Sequence, residues 1–351
     1  MNSKIFGPSV YVSTFENQRQ WLGRFPDGAT VFTSFQIPEE AGSAFRNDAH
    51  KMMKFLQERN FNVIASVSPK SLEFFGEGDL VEFALGMGIR RIRFDCGFSV
   101  EEMTSVAAVI PATVNASVID LESAIRIQKA SPYELYAIHN FYPRPETGLD
   151  RDYFERTTKR LQGQGIKVMA FFPGDTEMRG PVFEGLPTLE PHRSAPPYVA
   201  CMELLARYGL NGAIVGDMGL SERQSSLIFD TLKDGEIRLP CALDDDALYD
   251  RPFTVRVDSP AGVLRLAGSR ECASAENAPV EPKSTIQRDR GCVTMDNSLY
   301  ARYHGEIQVI RHSLPADRRV NVIGSIDARC VSLLESVQNG RRIRLVRNNK
   351  P

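Results

Sequence analysis

The chain lacks any run approaching the roughly 20 consecutive apolar residues of a membrane span, and Met1 to Tyr11 carries no basic-then-apolar export pattern. The expectation is therefore a cytoplasmic protein with no membrane partner. It also lacks an excess of one charge. Lys and Arg total 42 against 44 Asp and Glu, a net charge of -2, with no long basic run. That balance argues against nucleic acid as a partner while leaving room for a local basic pocket. The six cysteines (Cys96, Cys201, Cys241, Cys272, Cys292, Cys330) lie far apart and form no CxxC pair. They read as reduced thiols and argue against structural zinc. Among only five histidines, none has a second His or Cys at ligand spacing, so no metal site is read. No G-x-G-x-x-G follows the first strand-like segment, which leaves a dinucleotide fold without support.

What is present is alternation. From Ser9 to about Leu232, short β-branched runs recur: Ser9–Tyr11, Ala29–Thr33, Val63–Ser66, Arg91–Asp95, Ala112–Asn115, Tyr136–His139, Val168–Phe172 and Ala213–Gly216. Helical segments separate them. In one, Phe45, Ala49, Met52, Met53 and Leu56 share a face at helical spacing. Eight strand–helix units in about 230 residues predict an α/β fold, a (β/α)₈ TIM barrel, over residues 1–236. A doubly wound open sheet is the competitor, and the count of eight disfavours it. After that the helices stop. Phe253–Val257, Val263–Leu266, Gly291–Met295, Glu306–Ile310, Val320–Ser325 and Arg341–Val346 predict a small all-β barrel over 237–351, with a polar loop at Cys272–Lys283.

In a (β/α)₈ barrel the chemistry lies at the C-terminal strand ends. Those ends carry Tyr11, Ser34, Ser66, Asp95, Asn115, His139, Asn140, Asp175 and Asp217. Any one of these serves equally well as a turn former or helix cap; nine together point to a site. The connection Pro173–His192 is long for a barrel loop and, with the next, lies where this fold commonly binds phosphate. It supplies Arg179, Arg193, Gly180 and Gly185, and a helix N-terminus follows at Ser221. A solvated Gly/Pro-rich surface loop is the plainer account. Glu190 and Asp95 form the leading pair of carboxylates, with Asp217 in reserve, for an acid and a base or nucleophile. The pair alone does not separate glycoside hydrolysis from phosphosugar isomerisation or lysis. His139 is read either as a proton carrier or sugar-binding group, or as a satisfied core histidine.

The motifs then become specific. His139-Asn140-Phe141-Tyr142-Pro143 with Thr147-Gly148-Leu149, and Gly185-Leu186-Pro187-Thr188-Leu189-Glu190 with His192-Arg193, resemble the signatures of the 6-phospho-N-acetylmuramidase family. Phe32-Thr33-Ser34 with Ile37-Pro38-Glu39, Arg93 to Phe98, and Asn115 add to the likeness. So do Arg290-Gly291, Asp296-Asn297, Tyr303 with Gly305-Glu306-Ile307-Gln308, and Arg319-Val320-Asn321 with Gly324 in the C-terminal part.

The resemblance implies a TIM barrel followed by a cyclophilin-like β-barrel. It implies hydrolysis of the β-1,4 bond between N-acetylmuramic acid 6-phosphate and N-acetylglucosamine during peptidoglycan recycling, with no cofactor. Asn115, His139, Asn140 and Tyr142 would orient the sugar, and Arg144, Arg179 and Arg193 would meet its anionic groups. A homodimer is compatible with it. One departure stands out: the family pattern has Asp where this chain has Ser66, in Ala65-Ser66-Val67-Ser68-Pro69. A binding protein without turnover is the alternative that this departure motivates.

Overall fold

The structure is a computed structural model and describes residues 4–35, 44–270 and 279–348. Ile37-Pro38-Glu39, Cys272 and most of the polar loop read at Cys272–Lys283 lie outside these residues. The chain divides into two compact units between Gln224 and Ser225.

The first unit holds eight parallel strands: β1 (Ile5–Pro8), β2 (Thr30–Ser34), β3 (Asn62–Val67), β4 (Arg91–Phe94), β5 (Ala112–Asn115), β6 (Tyr136–Ile138), β7 (Lys167–Phe172) and β8 (Gly212–Val215). They pair in the order β1-β8-β7-β6-β5-β4-β3-β2. A single parallel bridge, Ser9 with Phe32, and the Val10 N–H bonded to the Phe32 carbonyl draw the two ends together. Helices follow the strands, as the alternation predicts. The inward faces carry Phe32, Ile64, Ile138, Met169, Phe171 and Ile214, which fill the core as a packed barrel interior.

The first strand lies upstream of the expected Ser9–Tyr11. Gly7-Pro8 disguises it, because both residues usually weaken a strand. Here Pro8 is the strand's last residue, where its missing N–H costs little, and Ser9 donates to Val215 instead. Gly7 is required by proximity, since a Cβ there would collide with the Thr30 carbonyl oxygen on β2.

The second unit contains a closed barrel of β9 (Ile237–Leu243), β10 (Pro252–Val255), β11 (Val263–Ala267), β12 (Cys292–Asp296), β13 (Ile307–Ile310), β14 (Val320–Ile326) and β15 (Arg342–Arg347). Their order is β10-β11-β13-β12-β14-β9-β15. Six of these were read from the sequence. The seventh, β9, was not, because Pro240 interrupts its apolar run. Its register explains the tolerance: Pro240 stays in step with Val346 on β15 and its carbonyl accepts from Asp327, while its neighbours in β9 pair with β14 and β15. No described helix is long and apolar enough to cross a membrane.

Candidate functional site

Strand alternation decides which polar groups face the barrel mouth. On β4, Arg91, Arg93 and then Asp95 share the inward side, while Ile92 and Phe94 are fully buried on the other. Ser66 lies in phase with core Ile64, Asn140 with core Ile138, and Asn115 two residues beyond Thr113. These inward columns meet at the C-terminal ends.

Arg93, which the sequence reading did not single out as a site residue, is their hub. Its side chain is only 4% exposed. One terminal nitrogen donates to the Ser66 hydroxyl at 3.0 Å and to Asp95 Oδ2 at 3.3 Å; the other donates to Asn140 Oδ1 at 2.5 Å. The Ser66 hydroxyl in turn donates to Asp95 Oδ2 at 3.1 Å. Burial works against the Arg93 charge, and Asp95 supports it. Among the described residues Asp95 Oδ1 accepts only the Cys96 N–H, at 3.0 Å, and its side chain is 30% exposed. The result is an oriented, open carboxylate beside a buried guanidinium. A signal existed: arginine on the inward side of a barrel strand contradicts a packed core unless it serves a site.

The other two expected carboxylates are committed elsewhere. Glu190 Oε1 accepts from Glu146 N–H at 3.0 Å and from Arg193 Nε at 2.6 Å. Its Oε2 accepts from Gly148 N–H and from the Arg193 terminal nitrogen, both at 2.7 Å. The Arg193 hydrogen bonds and the two backbone donors outweigh burial and hold the Glu190 carboxyl down at about 2. A general acid needs the opposite shift. Asp217 is completely buried and accepts N–H groups of Gly174, Arg179 and Leu186 at 2.9–3.1 Å. Burial pushes its carboxyl up, and the three backbone donors oppose that. Both groups pin loops. The four acceptor positions of Glu190 are taken by Arg193 and backbone, and Asp217 is enclosed with three backbone donors, so of the three expected carboxylates Asp95 is the one that reaches the barrel mouth.

Arg193 is likewise saturated, donating to the carbonyls of Tyr142, Arg144, Glu184 and Gly185 besides Glu190. It ties the loop after β6 to the loop after β7 and does not present a free charge. Arg179 lies flat on Tyr11, its guanidinium carbon 3.8 Å from the ring centre, and is buried. The helix N-terminus expected to receive phosphate is filled by Asp175, which accepts the Ser221 N–H and the Ser221 hydroxyl, each at 2.7 Å. Arg144 is exposed and makes no ion pair among the described residues.

His139 is out of phase with Asn140 and faces the helix layer. It is completely buried, 4.6 Å from the Phe154 ring, with Nδ1 at 3.3 Å from Ser117 Oγ and Nε2 at 3.1 Å from Thr158 Oγ1. Burial and then Arg93 hold its imidazole down at about 3, so it is neutral. The expected sugar contact is corrected: His139 is a core group that orients Ser117, whose Oγ accepts the Asn140 N–H at 2.9 Å. Asn115 turns the chain after β5 by accepting the Ser117 N–H. Tyr142, half-buried, has its phenol pushed up by burial and lies within electrostatic reach of Arg93. Ser66, Arg93, Asp95, Asn140 and, beside them, Asn115 and Tyr142 thus converge. Among the described residues no three His, Cys, Asp or Glu side chains cluster as metal ligands would.

Two family models cover this geometry. Residues 6–228 match the N-terminal domain of the 6-phospho-N-acetylmuramidase family, and residues 241–346 match its C-terminal domain. The chain belongs to that family. The 6-phospho-N-acetylmuramidase name is that of a glycosidase acting on phosphorylated muramic acid. Among solved structures, a conserved protein of unknown function from Enterococcus faecalis is similar over 98% of this chain and 97% of its own, at 29% identity and a TM-score of 0.82. An uncharacterised B. cereus protein shares the fold over 98% and 99% of the two chains, at 24% identity and a TM-score of 0.78. No curated protein matches the chain.

Proposed function

We propose that this 6-phospho-N-acetylmuramidase family member hydrolyses the β-1,4 bond between N-acetylmuramic acid 6-phosphate and N-acetylglucosamine, in the cytoplasm, as a step of cell-wall recycling. The observation that carries this reading is the Asp95 carboxylate, held by Arg93 and Ser66 and left open on one oxygen at the barrel mouth. Asp95 stands against the positive charge that develops at the anomeric carbon. Asn115, Asn140 and Tyr142 orient the sugar, and Arg144 meets its phosphate or lactyl carboxylate. With Glu190 and Asp217 committed to loops, the substrate's own 2-acetamido oxygen attacks the anomeric carbon as its bond to the N-acetylglucosamine oxygen breaks, and that oxygen leaves with a proton taken from water. A second water then adds to the anomeric carbon, displaces the acetamido oxygen and gives up its proton to solvent.

The test is product detection after incubating the purified protein with the phosphorylated disaccharide, its unphosphorylated twin and an Asp95→Asn control. Release of N-acetylglucosamine from the phosphorylated compound alone, lost in the control, is the expected result. Product formed without water at the anomeric carbon would turn the reading to an isomerase or lyase. A second reading, a phosphosugar binder without turnover, draws on the same two committed carboxylates and on Ser66. It requires binding of the phosphorylated disaccharide with no release.

A further inference from the structure

Several motif residues of the C-terminal barrel are not used by the site just described, and they gather at one end of that barrel. Asp296 closes β12, Glu306 immediately precedes β13, and Asn321 lies in β14. Most of the polar groups there satisfy one another. Glu306 accepts from Arg265 at 2.6 and 3.0 Å, from Arg270 at 2.5 Å and from Gln308 at 3.3 Å. Asn297 donates to Asn321 at 2.9 Å and to the Arg318 carbonyl, and Asn321 donates to the Glu281 carbonyl. Asp317 pairs bidentately with Arg319.

Asp296 is the exception. It is 6% exposed, and its carboxyl forms no hydrogen bond among the described residues. Its oxygens are not among the fully enclosed unpartnered atoms, so the unpaired carboxyl can be reached from outside the barrel. Burial first, and then the nearby Glu306, push it up to about 7, while Arg270 and Arg288 oppose that shift. Arg288 is the second group with spare capacity. It donates to the Pro315 carbonyl at 2.9 Å through Nε and forms no ion pair among the described residues. Tyr300 and Tyr303 flank this end with ring centres 6.3 Å apart, and Tyr303 is 38% exposed. Arg270 and Arg302 lie 5.2 and 5.0 Å from the Tyr303 ring centre.

We propose that this end of the C-terminal barrel, built from Asp296, Arg288, Tyr300 and Tyr303, is a binding site for an anionic sugar. The three kinds of group match three parts of such a ligand. A carboxyl that both donates and accepts suits a sugar hydroxyl. An arginine without a carboxylate partner suits phosphate or carboxylate. Arg319 covers the Tyr300 ring at 4.4 Å, and the exposed Tyr303 ring beside it suits the C–H side of a pyranose ring. A neutral sugar leaves Arg288 unanswered, and a bare anion leaves Asp296 and the rings unanswered. The proposal does not rest on the chemistry of the Asp95 cluster.

Calorimetric titration of the full-length protein separates the cases. The probes are N-acetylglucosamine 6-phosphate, N-acetylglucosamine and inorganic phosphate, applied to the wild type, Asp95→Asn, Asp296→Asn and Arg288→Gln, each checked for an unchanged melting curve. The expected result is binding of the phosphosugar that survives Asp95→Asn and weakens at least 10-fold in both Asp296→Asn and Arg288→Gln. The unphosphorylated sugar and phosphate should each bind at least 10-fold more weakly. Equal affinity for phosphate and phosphosugar would overturn the sugar assignment. Binding unchanged in Asp296→Asn and Arg288→Gln, or no binding surviving Asp95→Asn, would overturn the site. Because the deciding readout is binding lost in Asp296→Asn and Arg288→Gln, neither of which alters a barrel-mouth residue, failure here is distinct from failure of the proposed hydrolysis.

Discussion

Glu190 and Asp95 both stand beyond the C-terminal ends of barrel strands, both are paired with arginine, and their side chains are 29% and 30% exposed. They nevertheless do different work. Glu190 accepts four hydrogen bonds, two from Arg193 and two from the backbone N–H groups of Glu146 and Gly148. Asp95 shares one oxygen with Arg93 and Ser66 and keeps spare capacity on the other. Exposure and charge pairing are alike in the two, and what separates them is how many acceptor positions the protein itself fills. Glu190 holds two loops, and among the described residues Asp95 Oδ1 accepts a single N–H.

The sharpest way to break this comparison is to neutralise Asp95. Asp95→Asn keeps the shape and removes the charge, and the expected loss of turnover is about 10²–10⁴-fold, the range of a positioned acid–base or charge-stabilising group. Its melting temperature should stay near that of the wild type, because Ser66 and Asn140 still engage Arg93. A drop of less than 10-fold in kcat would remove Asp95 from the chemistry.

The next largest effect belongs to stability. Replacing His139 by Phe strands the hydroxyls of Ser117 and Thr158, at a cost of about 2–3 kcal/mol. The imidazole is held at about 3 in the fold, against an ordinary 6.5. The unfolded chain thus binds the proton more readily, so this group's contribution is complete above about 6.5 and is lost as the pH falls from there towards 3. The variant should lack that dependence in acid-titrated melting curves. Where it remains folded, any rise in KM should be modest, since the ring reaches the mouth only through Ser117, which holds the Asn140 N–H.

The same physics explains what the sequence disclosed and what it hid. The barrel was legible because eight apolar runs alternate with amphipathic helices, a pattern that local composition writes directly. Its first strand was displaced in the reading because Gly7-Pro8 looks like a turn, and β9 was missed because Pro240 looks like a break; both depend on neighbours that only the fold supplies. His139 and Asn140 are neighbours in a signature motif, yet alternation lets only one of them face inward, and the core position of Ile138 makes that one Asn140. Arg93 was equally visible as an inward arginine. The saturation of Glu190 was not visible, because its partners Glu146 and Gly148 stand more than forty positions away and donate through backbone.

Glu190 sharpens the comparison from the other side. Its carboxyl sits at about 2, below the ordinary 4.5, so its contribution to stability is present above about 4.5 and fades as the pH falls through 2. Glu190→Gln should cost about 1–3 kcal/mol at neutral pH, allowing for its partial exposure, and flatten the stability profile below pH 4.5. Gly148→Ala should act in the same direction, because its Cβ would lie 2.5 Å from Glu190 Oε2 and 2.7 Å from the Glu190 nitrogen. Neither change should shift the pH profile of turnover in protein that stays folded. A shifted profile in Glu190→Gln would return Glu190 to the catalytic set.

Ser66 gives the smallest effect and the finest test. Its hydroxyl accepts from Arg93 and donates to Asp95, so Ser66→Ala removes two hydrogen bonds from the cluster without removing a charge. The expected cost is about 1 kcal/mol, or roughly a five-fold loss in kcat/KM. Ser66→Asp does the reverse of neutralisation. It sets a second carboxylate against Arg93 beside Asp95, and two like charges at one site resist ionising together. If Asp95 must be ionised for turnover, the acidic limb of the kcat profile moves to higher pH in Ser66→Asp and stays in place in Ser66→Ala. An acidic limb that ignores the new carboxylate would mean that the group titrating in the reaction is not Asp95. Because the Ser66 hydroxyl hydrogen-bonds only Arg93 and Asp95 among the described residues, the pair of substitutions isolates that cluster from the loop network around Glu190.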